Sequence, residues 1–458
     1  MEKEKNNRSS FSGKIGFVLS AAGASVGLGN IWRFPYLAAK YGGGIFLLIY
    51  ILLALTFGYT MIVAESALGR MTRKSPVGAF KAFGKKAGWL SFGGWINAII
   101  PVLIVPYYSV IGGWVVKYLF EYIRGNGSKL AEDGYFSGFI SSGGATEICF
   151  VIFCMFTLVI IYAGVQNGIE RVSKIMMPIL IVLSVIIAIY SVTRPGAIEG
   201  VKYFLVPNVK NFSWMTVVAA MGQMFYSLSI AMGILVTFGS YMKKDTSIED
   251  STRNVEVFDT AIAIMAGLMI IPAVFAFSGG DPDTLQAGPS LMFITIPKVF
   301  DSMGFGTFAG ILFFLLVLFA AVTSSIALTE SAVSTVEDEL KWSRKKSTVI
   351  VGFIMIILGT LSCLGYGPLS FVKIIGMQFL DFFDFLTNSV MMPIAALMTS
   401  LFVSKVVGVD RMEEEIRHGE SKFRRKKIFV VMIKYLCPIF AIIILVSSVA
   451  NAFGWISM

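Results

Sequence analysis

Apolar residues in this chain come in long runs separated by polar or Gly/Pro-bearing stretches. The runs lie at about 14–40, 44–68, 90–122, 147–163, 170–192, 213–241, 254–279, 307–340, 348–364, 371–402 and 428–456. A bilayer core takes about 20 apolar residues per helix, so the pattern predicts eleven membrane spans. No stretch reads as a separate soluble domain, linker or low-complexity tail. Segment 409–426, with Asp410, Arg411, Glu413, Glu414, Glu415, Arg424 and Arg425, reads as a solvated loop. The basic opening residues and the first run imitate a signal peptide. That run is too long, is broken at Gly29-Asn30 and leads into Arg33-Phe34-Pro35, so it reads as span 1.

The charges then set an orientation. With the N-terminus inside, segments 1–14, 70–86, 171–174, 243–253, 341–346 and 405–427 face the cytoplasm and hold 27 of the 38 Lys and Arg residues. The opposite loops hold six, Arg124, Lys129, Arg194, Lys202, Lys210 and Lys298. Basic loops stay inside, which predicts an N-terminus in and a C-terminus out. The chain is 14% charged, about half the usual share of a soluble domain. Its net charge of +10 therefore reflects membrane orientation and implies no nucleic-acid partner. Cys149, Cys154, Cys363 and Cys437 lie in or beside apolar runs, so no disulfide framework is implied. The single histidine, His418, sits in a charged loop, which removes His-rich metal sites and Ser-His-Asp catalysis. Neither paired catalytic carboxylates nor a nucleophile–base pair stands out, so the expectation is a non-enzyme.

Two spans carry interruptions at membrane depth. Span 1 contains Gly23-Ala24-Ser25-Val26-Gly27-Leu28-Gly29-Asn30, and span 6 contains Ser227-Leu228-Ser229-Ile230-Ala231-Met232-Gly233. Glycine within a helix costs up to about 1 kcal/mol against alanine. A lone GxG usually means close helix packing. These two interruptions occupy corresponding places if spans 1–5 and 6–10 are repeats, the pattern that points to a transporter site. Freed N–H groups can hold a carboxylate there, and freed carbonyls can hold Na⁺ or an ammonium. Lipid tolerates such groups only where they line a filled cavity.

The stretch Gly27-Leu28-Gly29-Asn30-Ile31-Trp32-Arg33-Phe34-Pro35-Tyr36 resembles the signature of the neurotransmitter:sodium symporters, including their bacterial amino-acid members. The resemblance continues at Pro106-Tyr107-Tyr108, at Gly222-Gln223-Met224-Phe225-Tyr226-Ser227-Leu228-Ser229, at Gly288-Pro289-Ser290-Leu291 and at Thr323-Ser324-Ser325-Ile326-Ala327-Leu328. It implies an all-α polytopic membrane protein in one transporter domain, a five-plus-five inverted repeat with broken helices 1 and 6. The repeats would be 14–192 and 213–402, with span 11 at 428–456. Many relatives have twelve spans, so the departure here bears on oligomeric packing, and the oligomeric state stays open. The implied activity is sodium-driven uptake of an amino acid by alternating access across a cell membrane, for a bacterial member the inner membrane. A symporter of another carboxylate-bearing amine or osmolyte, a leaky channel and a non-transporting amino-acid sensor remain as alternatives.

By the same resemblance, two Na⁺ ions are held. One site takes Thr323 and Ser324 hydroxyls with the carbonyls of Gly23, Val26 and Ala320. In any helix Ser and Thr also back-bond to carbonyls, so those hydroxyls alone carry little. The other site takes Asn30, the Ser25 carbonyl, Ser227 and Asp259. Asp259 lies about three turns into an apolar span, where a charge is costly unless paired. Relatives with a neutral residue there use chloride, so chloride should be dispensable. In monoamine transporters an Asp at the position of Gly27 pairs with the ligand amine; glycine leaves the ligand to bring its own carboxylate. That group would meet the Leu28 and Gly29 N–H groups and the Tyr108 hydroxyl, and its ammonium the carbonyls of Ser25, Tyr226, Ser227 and Ser229. Ile104, Tyr226, Met232, Ser324 and Leu328 would form an uncharged side-chain pocket, so a hydrophobic L-amino acid is expected. Arg33 and Asp384 would form an outer gate with Gln223 nearby and the Tyr226 ring as lid. Arg8 and Asp338 would form an inner one, with Phe11 where relatives often have Trp. Gly168 and Pro178 would allow unwinding of span 5.

Overall fold

The computed structural model describes residues 9–279, 288–420 and 422–455. Among them nine helices are long and apolar enough to cross a membrane. They are Gly44–Thr72, Gly84–Ile123, Gly144–Tyr162, Val165–Val192, Ile248–Ser278, Gly306–Leu340, Arg344–Leu364, Phe379–Val407 and Lys426–Ala452, numbered here as spans 2–5 and 7–11. Span 1 is a bent pair, Lys14–Ser25 and Gly29–Lys40, at 52° to one another. Span 6 is two shorter helices, Trp214–Ser227 and Ile234–Ser240, with 228–233 between them. The described residues contain isolated bridges and no strand, so the chain is an all-α, multi-pass membrane protein.

Spans 3 and 8 are largely buried and span 11 least so. The first half of span 1 packs against spans 5, 7 and 8, while the two halves of span 6 pack along span 2. Local chemistry sets the starts. Ser213 and Thr216 form a reciprocal capping box ahead of span 6, satisfying N–H groups that a helix start leaves orphaned. Ser247 does the same for span 7 by accepting from the Asp250 N–H.

Several boundaries differ from the sequence expectation: spans 3 and 7 start six residues earlier, at Gly84 and Ile248, and two further differences have a backbone cause. Span 10 starts at Phe379, where the apolar run suggested 371. Ile375 and Gly376 both take left-handed φ, and Ile374 pairs with Met377 across that tight turn, so the apolar residues before it cannot join the helix. Span 5 starts at Val165 in a wide π-helical turn, after the left-handed Gly164, and runs unbroken from Arg171 through Pro178. The break near span 5 is thus at Gly164, ahead of both Gly168 and Pro178.

Candidate ion and substrate site

The two breaks meet in the middle of the bundle, and different backbone physics opens each. In span 1 the glycines supply space. A methyl at Gly27 would lie 2.7 Å from Ser324 Oγ, and one at Gly29 would collide with Cδ1 and Cε1 of Tyr226. In span 6 the chain itself is turned: Ser229, Ala231 and Gly233 take φ of 53°, 59° and 69°. For Ser and Ala that left-handed state costs about 1–2 kcal/mol each, so other contacts must hold it. Ser229 Oγ donates to the Ala24 carbonyl at 3.0 Å, tying one break to the other. The Ala231 N–H donates to Glu65 Oε1 at 2.8 Å, from span 2.

Asp259, fully buried on span 7, receives three donors. Asn30 Nδ2 and Ser227 Oγ donate to its Oδ1 at 2.9 and 2.8 Å, and Tyr50 OH donates to Oδ2 at 2.7 Å. Asn30 Nδ2 and Tyr50 OH also reach Ser227 Oγ, at 2.9 and 3.1 Å. Asn30, Ser227 and Asp259 are therefore brought together, as expected, and Ser25 lines the cavity beside them. Asp259 makes no ion pair among the described residues, and a buried carboxylate without a cation is costly. No cluster of three or more His, Cys, Asp or Glu suited to a metal occurs among the described residues. The donor set is instead one carboxylate with neutral oxygens, which suits a hard monovalent cation. Asn30 now turns its nitrogen to Asp259 and receives the Gly27 N–H on Oδ1 at 3.3 Å. A cation would require the amide to present its oxygen.

The second oxygen cluster forms where span 8 crosses the span 1 break. Ser324 Oγ lies 3.3, 3.1 and 3.4 Å from the carbonyls of Gly23, Ala24 and Val26. Thr323 Oγ1 donates to the Phe319 and Ala320 carbonyls at 3.0 and 3.2 Å. A methyl at Gly23 would stand 3.1 Å from Thr323 Cβ, so Gly23, Val26, Ala320, Thr323 and Ser324 converge.

Between these clusters lies a cavity of about 30 Å³, about one water in size. Every residue expected at the substrate lines it: Ser25, Leu28 and Gly29 from span 1, Ile104 and Tyr108 from span 3. Tyr226, Ser227, Ser229 and Met232 follow from span 6, then Ser324 and Leu328 from span 8, with Ala24, Gly27 and Asn30 completing the wall. In its wall the Leu28 N–H donates to Tyr108 OH at 3.3 Å. Ile104, Met232 and Leu328 supply apolar lining, and no charged side chain lines the space.

Tyr226 also lines a vestibule of about 420 Å³ that contains Arg33 and Asp384. The Arg33 guanidinium stands 5.4 Å over the Tyr226 ring, a cation–π contact. The expected ion pair does not form in this conformation. Asp384 Oδ1 instead accepts from Tyr107 OH at 3.2 Å and from Asn388 Nδ2 at 2.5 Å, and Arg33 faces it across the open vestibule. Gln223 Nε2 donates to the Gly29 carbonyl at 3.1 Å, bracing the break. On the other side, Arg8 lies outside the described residues. Asp338 Oδ2 accepts from the Ser75 N–H at 2.6 Å. Phe11 is buried edge-on against Phe17, Phe238 and Tyr241, so phenylalanine fills that corner without an indole.

Sequence reasoning missed Tyr50, Glu65 and the Ala24 carbonyl. Glu65 was legible, because it is a lone carboxylate within the apolar run Met61-Ile62-Val63-Ala64-Glu65, the same signal as Asp259. Tyr50 carries only the weaker signal of a hydroxyl that needs a partner when buried. Backbone carbonyls such as that of Ala24 leave no trace in residue type.

The profile of the sodium:neurotransmitter symporter family matches residues 8–128 and 135–454. An uncharacterized sodium-dependent transporter of Bacillus subtilis, YhdH, is 35% identical over 96% of this chain and 97% of its own length. An uncharacterized sodium-dependent transporter of Haemophilus influenzae is 31% identical over 98% of this chain and 100% of its own. The crystal structure of MhsT in complex with L-phenylalanine superposes with a TM-score of 0.86 at 35% identity, covering 96% of this chain and all of that one.

Proposed function

The chain belongs to the sodium:neurotransmitter symporter family, and on that footing we propose that it imports hydrophobic L-amino acids, aliphatic or aromatic, by sodium-coupled alternating access. As a member it is a sodium-dependent membrane transporter of a small molecule and not an enzyme. One observation carries the substrate class: the central cavity is lined by backbone and hydroxyl groups together with the apolar side chains Ile104, Met232 and Leu328, and by no charged side chain. The Leu28 N–H and Tyr108 OH, already 3.3 Å apart, receive the substrate carboxylate, helped by a neighbouring Na⁺. Carbonyls freed at both breaks take the ammonium. Ile104, Met232 and Leu328 exclude charged side chains, because burying an unpaired charge is prohibitive. The L-phenylalanine bound to MhsT is a ligand of the same class.

Two Na⁺ ions sit in the two oxygen clusters, one completed by Asp259. Its fixed negative charge replaces chloride, so exchanging chloride for gluconate leaves uptake intact; loss of uptake on that exchange would refute the assignment. Halves 14–192 and 213–402 rock about the breaks. The basic loops face the cytoplasm of a bacterial inner membrane. Arg33 and Asp384 close the vestibule once substrate is seated, and Arg8 and Asp338 close the opposite side. At 100 mV each charge moved inward contributes about 2.3 kcal/mol, enough for accumulation against a gradient.

The test is the melting temperature of purified protein with each of the twenty L-amino acids, in Na⁺ and then in K⁺. A ligand that binds only the folded state at a hundred times its dissociation constant stabilises by about 2.7 kcal/mol. Stabilisation by apolar amino acids in Na⁺ alone is expected. Stabilisation by decarboxylated amines or osmolytes instead would overturn the reading of Gly27.

A further inference from the structure

Away from the central site, the bundle's exterior has an apolar groove with a single cation at its end. It lies between the last turns of span 5 and the first turns of span 8 and encloses about 310 Å³, within the roughly 300–1,000 Å³ of small-molecule sites. Ile186 and Ile187 form one wall, Phe308 and Leu312 the other. Ile186 and Phe308 are 44% and 61% exposed, so the groove opens outward, into hydrocarbon when the protein is in its membrane. Tyr190 OH donates to the Gly304 carbonyl at 2.6 Å. That bond pins span 5 to the turn before span 8, so the groove is held open by a fixed contact.

Arg194 stands just beyond the last residue of span 5, at the membrane boundary. Its Nε donates to the Tyr190 carbonyl at 3.1 Å, its guanidinium lies 4.4 Å over the Tyr190 ring, and one terminal nitrogen reaches Thr193 Oγ1 at 3.5 Å. None of these partners is an anion, and among the described residues Arg194 forms no ion pair. The stacking and the carbonyl contact hold the guanidinium in place, which spares part of the entropy of binding. Its remaining donors suit a phosphate, the geometry that a planar guanidinium matches well.

We propose that this groove is a phospholipid site, with one acyl chain between spans 5 and 8 and an anionic phosphodiester headgroup on Arg194. A second copy of the chain would cover the apolar walls but supply no anion to the guanidinium. A zwitterionic headgroup would bring its own cation close to Arg194, so an anionic lipid is favoured.

The test uses the full chain in detergent, titrated with phosphatidylglycerol or with phosphatidylcholine of the same acyl chains. Bound lipids are counted by native mass spectrometry and the melting temperature is followed. The unaltered protein should retain one phosphatidylglycerol about fivefold better than phosphatidylcholine, as one interfacial cation provides. Arg194→Gln should erase that preference and Arg194→Lys should keep part of it. Leu312→Trp, which fills the groove from its outer side, should weaken retention of both lipids. Equal retention of the two lipids by the unaltered protein, or a preference that survives Arg194→Gln, would overturn the proposal. So would a lipid-free dimer that Leu312→Trp dissociates, or equal stabilisation by glycerol phosphate without acyl chains.

Discussion

Asn30 of span 1 and Asp259 of span 7 are joined by a hydrogen bond of 2.9 Å, and neither side chain reaches solvent. The carboxylate gathers donors from spans 1, 2 and 6 yet makes no ion pair among the described residues, and in the proposed function it completes a Na⁺ site. Asp259→Asn keeps the shape and removes the charge. Breaking a buried charge pair costs about 3 kcal/mol or more, which is roughly a hundredfold. The sodium concentration that half-stabilises the variant should rise by that order, with the fold preserved in the far-ultraviolet spectrum. An unchanged sodium midpoint would remove Asp259 from the ion site.

Tyr108 offers its hydroxyl to the Leu28 N–H at 3.3 Å, in the cavity wall where the proposed function places the substrate carboxylate. Hydrogen bonds to charged groups contribute about 1.5–3 kcal/mol. Tyr108→Phe should therefore raise the dissociation constant of an apolar amino acid about tenfold to a hundredfold in Na⁺. The Leu28 N–H also loses a partner, so the ligand-free protein should lose about 1 kcal/mol. Titration calorimetry and melting curves separate the two effects. Unaltered affinity would move the carboxylate elsewhere.

Glu65 accepts the Ala231 N–H at 2.8 Å where the span 6 backbone is left-handed. Glu65→Gln retains a carbonyl acceptor and should bind substrate nearly as well. Glu65→Ala orphans a buried donor at about 1–3 kcal/mol and frees residues 228–233 to relax. Substrate affinity should then fall by more than melting temperature alone explains. If alanine and glutamine behave alike, Glu65 is a packing residue and no brace of the break.

The parts of the site that residue type alone made legible share one property, an improbable residue at that depth, whereas Ile104, Tyr108, Met232, Ser324 and Leu328 were reached only through the family resemblance. Gly27 and Gly29 in a membrane helix, and Asp259 in an apolar run, each carry a cost that asks for a reason. Glu65 carries the same cost and was equally readable. The Arg33–Asp384 pair shows where this stops. Both charges line the vestibule yet form no ion pair here, a matter of side-chain placement that residue type does not carry. Span 10 shows another limit, since a left-handed turn at Ile375-Gly376 hides inside an apolar run that hydropathy reads as continuous.

Gly29 and Tyr226 give a test of the lid. The Tyr226 ring rests on the backbone of Gly29, and it separates the vestibule from the cavity. Gly29→Ala would drive a methyl into Cδ1 and Cε1 of that ring, so the ring must swing out or the break must shift. Overpacking of this kind costs about 1–3 kcal/mol. In the proposed function it falls on the state in which Tyr226 covers the substrate, so affinity should drop roughly tenfold or more while sodium alone still stabilises. Gly138→Ala is the control, because nothing lies within 4 Å of its added methyl and it should change stability by under about 1 kcal/mol. A fluorophore that reports vestibule accessibility should find the Gly29→Ala lid open in saturating sodium and substrate. A lid that closes normally, with affinity intact, would mean that Tyr226 covers nothing and that the cavity is sealed by another group.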